Sequence, residues 1–510
     1  MFEAEANAAA WFVDRHARGA RRDHVAFVEA GGEGRRLTYG ELGARAARVG
    51  GLLARTGVAR ENRVALLMSD NADLPAVFWG ALKAGVVPVP INTMLSGELT
   101  RAILADCRAR ALFVSQELLP AVAPFLGDLP ELRATFVVGA GGDFEAALSA
   151  GELRETVAVS PDECAFWLYS SGSTGEPKGV RHAHASLRAT AETYGARVLG
   201  IAPDDVVFSA AKLFFAYGLG NSMTFPMSVG ATAVLYPGRP TPEAALDVLA
   251  RFQPNVFCGV PTLYAALNAR LEAEGARVGA KLRRCLSAGE ALPAEVGARW
   301  AALAGCDILD GVGSTEMLHI FLSNRPGEIV YGTSGTAVPG YELRLVDERG
   351  ALVGEGEIGE LLVKGASAAL DYFGRREKSQ ATFEGAWTRT GDKYERMAGG
   401  RHRYCGRTDD MFKVSGIWVA PFEVEQALVS HAKVLEAAVI SARDADGLEK
   451  PKAYVVLKDG VAREGLATEL QEHVKARVGL WKYPRWLAFV DDLPKTATGK
   501  IQRFKLRELG

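Results

Sequence analysis

At 510 residues the chain is longer than one hydrophobic core ordinarily serves, and that length suggests about three domain-sized units. Hydrophobic residues make up 48% and charged residues 24%, as in ordinary globular proteins, and a formal net charge of −2 offers no electrostatic case for nucleic acid or an anionic membrane as partner. Six scattered cysteines without a C-x-x-C pair read as reduced thiols in a cytoplasmic protein, and no apolar run is long and unbroken enough to span a bilayer.

Along the chain, Thr38 with Glu41 three residues later makes a capping box that opens a helix. From residue 38 to 309, short β-branched or apolar runs alternate with longer helical stretches, the pattern of βαβ units around largely parallel sheets. Strands are expected at 63–68, 86–91, 111–115, 135–138, 206–210, 231–236, 255–259, 284–287 and 307–310. Between the fourth and fifth of these, an apolar run at 164–168 leads into YSSGSTGEPKG at 169–179. Gly172, Gly175 and Gly179 permit turns closed to larger residues, Ser170, Ser171, Ser173 and Thr174 offer hydroxyls, and Lys178 supplies a cation, a composition suited to holding phosphate. A flexible linker is the plain alternative. The Walker pattern GxxxxGK[ST] is absent, which disfavours a P-loop kinase or ATPase. Segment 341–364 changes character, with closely spaced strands and glycines that suggest a small β-rich subdomain closing the large body. CGRTDDMFKVSGIWV at 405–419 reads either as an interdomain hinge or as an ordinary loop, and about a hundred residues with their own βα pattern follow it.

Six motifs in order, YSSGSTGEPKG, SAGE at 287–290, DGVGSTE at 310–316, TGD at 390–392, YCGRTDDMFKVSG at 404–416 and PKTATGKIQR at 494–503, together resemble the adenylate-forming acyl/aryl-CoA synthetase superfamily. That superfamily also contains peptide-synthetase adenylation domains and firefly-type luciferases. KLFFAYGLGNSMTFP at 212–226 and GSTEMLHIFLSNRPG at 313–327 look most like its benzoate-CoA ligase branch. The resemblance implies an α/β fold: a large N-terminal domain of βαβ-built sheets with a small β-rich subdomain, over residues 1–407, followed by a small mobile α+β lid over 408–510. It also implies an ATP-dependent ligase that joins an aryl carboxylic acid to coenzyme A through an aryl-adenylate, with Mg2+ assisting. Loading of a carrier protein and use of a hydroxy- or aminobenzoate are the competing readings.

Neither half-reaction needs an enzyme nucleophile, in keeping with the absence of a Ser/His/Asp or Cys/His set. By the resemblance, Ser170, Ser171, Gly172, Ser173, Thr174, Gly175 and Lys178 grip the phosphates, while Thr315 meets the α-phosphate and carboxylate. Glu316 holds Mg2+, although Ser-Thr-Glu could equally cap a helix. Gly289, Glu290, Asp310, Gly311 and Gly313 surround adenine, and Asp392 and Arg407 take the ribose. Lys500 reaches the forming carboxyl–phosphate bond, and an acetyltransferase–deacetylase pair acting there would switch its charge. Asp409 marks the hinge, and Lys413, Gly416 and Trp418 lie on the segment brought towards CoA. Ala216, Tyr217 and His319 line a flat acyl slot, His319 serving either a ring substituent or the core. His182 and His184 are expected to be structural or to support the site from behind its lining. No nucleic-acid or membrane partner is expected, and the chain is expected as a monomer or homodimer.

Overall fold

The computed structural model describes residues 3–508 except 33, 172–175, 280, 409, 415–416, 446 and 496–500. Two compact units emerge rather than three, one formed by residues 1–342 and 363–388, the other by 343–362 and 389–510.

The first unit is built on two parallel sheets. One runs in the order Val87–Pro90, Arg63–Leu67, Ala111–Ser115, Ala134–Val138, parallel throughout. The other has nine strands, and from Ile308–Gly313 through Arg284–Ser287, Val256–Gly259, Val206–Ser209 and Thr232–Leu235 to Val25–Glu29 every pairing is parallel. Antiparallel strands close both edges, Arg36–Thr38 on one side and Ile320–Ser323 with Thr336–Ala337 on the other. The expected strands thus recur with ends shifted by up to three residues, the largest at 307–310, which runs on to Gly313, because strands covered on both faces read as continuous apolar runs. Phe208, Phe257, Tyr264 and Trp300 fill the space between this sheet and its helices, each wholly buried. The helix Tyr39–Arg55 begins at the expected capping box: the Glu41 N–H donates to Thr38 Oγ1 at 3.2 Å and the Thr38 N–H to Glu41 Oε2 at 2.8 Å.

In the second unit a sheet is ordered Glu342–Val346, Ile358–Lys364, Trp387–Arg396, with His402–Arg407 pairing antiparallel to the last of these. Residues 343–362 of the β-rich segment group with the C-terminal residues, since strands far apart in sequence share one sheet. Beyond it, Val434–Arg443, Glu449–Leu457 and Trp486–Phe489 form a three-stranded sheet covered by the helices Pro421–Val429 and Leu466–Val478.

All six cysteines are free. Burial pushes the Cys107, Cys164 and Cys405 thiols up to about 12, 11 and 12, and raises Cys258 and Cys285 as well. Among the described residues no helix is long and apolar enough to cross a membrane.

Candidate active site

In the first unit, three loops leave the nine-stranded sheet at the carboxyl ends of its parallel strands, the edge where α/β folds place ligands. Residues 288–290 follow Arg284–Ser287 and carry Gly289 and Glu290; residues 210–219 follow Val206–Ser209 and carry Ala216 and Tyr217; Thr315 and Glu316 follow Ile308–Gly313.

Ser287 and Asp310 are register partners on neighbouring parallel strands, and both are buried. Burial raises the Asp310 carboxyl well above its ordinary value, against the opposing pull of the Leu292 N–H, the Ser287 hydroxyl and the Gly311 N–H. A buried carboxyl and hydroxyl side by side at the carboxyl ends of two parallel strands suit the polar rim of a base. Gly311 and Gly313 stand opposite Ser323 and Ile320 in the antiparallel pairing. A Cβ on Gly313 would lie 2.5 Å from the His319 carbonyl oxygen, so the chain can double back only with glycine here.

That return also needs Leu318 at φ 65°, left-handed backbone that a leucine rarely adopts. It delivers His319 into a ring cluster. The imidazole is 4.5 Å from the Phe225 ring, 5.3 Å from Tyr194 and 5.6 Å from Tyr217, centroid to centroid. Its Nε2 lies 3.3 Å from the Tyr217 carbonyl while Nδ1 has no partner among the described residues. Burial holds the His319 pKa down to about 3, so the ring is neutral. The Tyr217 hydroxyl donates to the Gly259 carbonyl at 3.2 Å. Tyr217 and His319 are thus brought together as expected, with Ala216 at the start of the same short helix. Gly220 allows this approach, since a Cβ there would sit 2.3 Å from His319 Cδ2.

The phosphate-loop motif forms a hairpin. Cys164–Ser171 pairs antiparallel with Pro177–Ala183, setting Ser170 opposite Lys178. Gly172, Ser173, Thr174 and Gly175 lie outside the described residues. The third strand, Asp371–Tyr372, pairs with Pro177–Ala183, and the Tyr372 hydroxyl donates to Glu316 Oε1 at 2.8 Å. Among the described residues no group of three or more His, Cys, Asp or Glu is arranged to hold a metal ion. Any Mg2+ here would rest on the single carboxylate of Glu316 and on substrate phosphates, which is how that ion is commonly held. His182 stacks on Phe166 at 5.0 Å and its pKa is pushed down to about 3 by burial, and His184 Nδ1 accepts from the Ala8 N–H at 3.1 Å. The Thr315 backbone also meets His182, so that imidazole lies directly behind the candidate site.

Asp70 escaped sequence reasoning. The Asp70 carboxylate accepts the Leu213 N–H at 3.2 and 3.3 Å, and Lys212 donates to the Gly238 carbonyl at 2.6 Å and to that of Tyr236. Together they anchor the start of the acyl segment. Asp70 lies 143 positions from Leu213, so no local pattern betrays it.

In the second unit, Asp392 and Arg407 are register partners; Arg407 Nη1 donates to Asp392 Oδ1 at 3.0 Å and to the Thr390 carbonyl at 3.1 Å. Lys413 pairs with Trp418 across the hairpin Phe412–Val414 and Ile417–Val419. Asp409, Gly416 and Lys500 lie outside the described residues.

The AMP-binding enzyme family matches residues 13–373, and the AMP-binding enzyme C-terminal domain matches 423–500. The chain is 54% identical to a benzoate–CoA ligase of Thauera aromatica, covering 98% of this chain and 95% of that one. It is 53% identical to a 4-hydroxybenzoate–CoA/benzoate–CoA ligase of Rhodopseudomonas palustris, over 99% and 94% of the two chains. A crystal structure of a benzoate CoA ligase from Burkholderia xenovorans LB400 shares the fold with a TM-score of 0.91 at 50% identity, covering 98% of this chain and 99% of that one.

Proposed function

The chain belongs to the AMP-binding enzyme family, and from that premise we propose that it is an ATP-dependent aryl-CoA ligase converting benzoate, ATP and CoA to benzoyl-CoA, AMP and diphosphate. The observation that carries the aryl assignment is the neutral, ring-lined cluster of Tyr217 and His319, which adjoins the turn bearing Thr315 and Glu316.

In the first half-reaction a benzoate oxygen attacks the α-phosphorus and the bond to the diphosphate oxygen breaks. Nothing in that step asks for an enzyme nucleophile; alignment and charge neutralisation supply the rate. Ser170, Ser171 and Lys178, with Gly172, Ser173, Thr174 and Gly175, would receive the departing diphosphate, and Lys500 would neutralise charge at the forming carboxyl–phosphate bond. Asp310, Gly289, Glu290, Gly311 and Gly313 would enclose the adenine, and Asp392 with Arg407 the ribose hydroxyls. Mg2+, held by Glu316, would supply electrostatic shielding of the phosphates. In the second half-reaction the CoA sulfur attacks the acyl carbon and AMP leaves with the electron pair. Residues 408–510 would serve as the lid, turning about Asp409 so that 413–418 replaces Lys500 at the acyl carbon, which also keeps water from the adenylate. The free cysteines are in keeping with a reducing, cytoplasmic compartment.

The test is AMP release and thioester formation over a panel of benzoate, hydroxybenzoates and aminobenzoates, with free CoA against a phosphopantetheinyl carrier protein. Benzoyl-CoA as the principal product is expected. A thioester formed only on the carrier would overturn the ligase assignment, and preference for a substituted ring would overturn benzoate.

A further inference from the structure

Glu316 is gripped from one segment, 367–373. The Ala369 N–H donates to the Glu316 carbonyl at 2.7 Å, the Ser367 hydroxyl to the next carbonyl, that of Met317, at 2.8 Å, and the Tyr372 hydroxyl to Glu316 Oε1 at 2.8 Å. Tyr372 is only 4% exposed. Its strand pairs it with Val180, two residues beyond Lys178, and its ring centroid lies 5.6 Å from Lys178 Nζ, within cation–π range. Asp371 beside it is locked by Arg181 through two contacts, Nε to Oδ1 at 2.6 Å and Nη2 to Oδ2 at 2.5 Å. The Tyr372 N–H is taken by Ser379 Oγ at 3.0 Å. One buried phenol therefore lies against both Glu316 and Lys178, two groups of opposite sign that the proposed function assigns to Mg·ATP.

We propose that Tyr372 is a positioning residue for adenylate formation, fixing the direction of the Glu316 carboxylate through its hydroxyl and supporting Lys178 on its ring face. The inference rests on the nucleotide-site reading given above. A neutral phenol suits this task better than arginine or lysine. It orients one carboxylate oxygen, leaves the other open and cancels none of the negative charge that a cation would require. The Arg181–Asp371 pair acts further out, keeping the two-residue strand in register.

Tyr372→Phe retains the ring and removes only the hydroxyl, and Tyr372→Leu removes the ring as well. Mg·ATP binding to the full chain, titrated calorimetrically with no acid present, is expected to weaken about tenfold in Tyr372→Phe, the scale of a lost hydrogen bond to a charged group, and further in Tyr372→Leu. The Mg2+ concentration for half-maximal benzoate-dependent pyrophosphate exchange should rise in parallel. KM for benzoate and the rate of CoA attack on supplied benzoyl-adenylate should stay within about twofold. Mg·ATP binding by Tyr372→Phe equal to that of the unaltered chain would overturn the inference, as would equal loss in both half-reactions, which marks general damage. Failure of the unaltered chain to bind Mg·ATP would remove the nucleotide reading and this inference with it. Normal Mg·ATP binding without benzoate turnover would remove only the acid assignment and leave the comparison of Tyr372 variants decisive.

Discussion

The Asp70 carboxylate offers a clean test of how the acyl segment is anchored. It is wholly buried, and burial raises its pKa from the ordinary 3.8 to about 6, against the opposing pull of Lys212 and the Leu213 N–H. A rise of that size corresponds to about 3 kcal/mol. Between pH 4 and 6 the folded chain retains a proton that the unfolded chain has released. The stability this group contributes is therefore present in acid and lost as the pH climbs through 6. Buried His182, His184 and His319 act in the opposite sense. Their pKa values are held down to about 3, 4 and 3, so their contribution is present above pH 6.5 and is lost as the pH falls below it. A comparison with Asp70→Asn cancels the histidines, since the amide keeps an acceptor for Leu213 but does not titrate. Relative to the unaltered chain, Asp70→Asn should gain about 2 kcal/mol between pH 4.5 and 7.5, the part of that rise lying above pH 4.5, or roughly 3 °C in thermal midpoint for a unit of this size. The assay is thermal unfolding of both chains across that range. A gap between them that stays constant, or that moves towards the unaltered chain as the pH rises, would refute the burial argument.

Lys500→Ala should nearly abolish adenylation, measured by benzoate-dependent pyrophosphate exchange, while thiolysis of supplied benzoyl-adenylate survives; equal loss of both would contradict separate roles for the lid's two faces. Gly220→Ala would set a methyl 2.3 Å from His319 Cδ2 and 2.7 Å from Nε2. The displaced imidazole should raise KM for benzoate about tenfold or more, with KM for ATP little changed, in steady-state assays.

What the sequence discloses follows from how local each determinant is. Strands such as Ala111–Ser115 and Val256–Gly259 are legible because burial on both faces demands unbroken apolar runs, and the Thr38–Glu41 cap because its partners are three residues apart. The site motifs are legible because phosphate and sugar chemistry limits residue choice at fixed spacings. Tyr372 and Asp70 are not, since each meets its partner only after the fold has closed 56 or 143 positions of chain. The grouping of 343–362 with the C-terminal residues is hidden for the same reason, as it depends on which strands share a sheet. His319 could be read from sequence as a ligand for a ring substituent or as core. The structure gives it a core-like burial and three aromatic neighbours, yet leaves Nδ1 without a partner among the described residues.

The burial of the cysteines bears on the identity of the final acyl acceptor. On the proposed function, this chain makes an activated acyl group whose intended acceptor is a thiol, so each of its own cysteines is a chemical rival to CoA. Only the thiolate competes. Five of the six thiols have pKa values raised by burial, including Cys164 on the strand that ends at Ser170 and Ser171, and so remain protonated at neutral pH. For those five the fold disfavours self-acylation and mixed disulfides with the co-substrate, whereas Cys306, whose pKa is lowered by its contact with Cys285, is the thiol left to compete with the pantetheine sulfur.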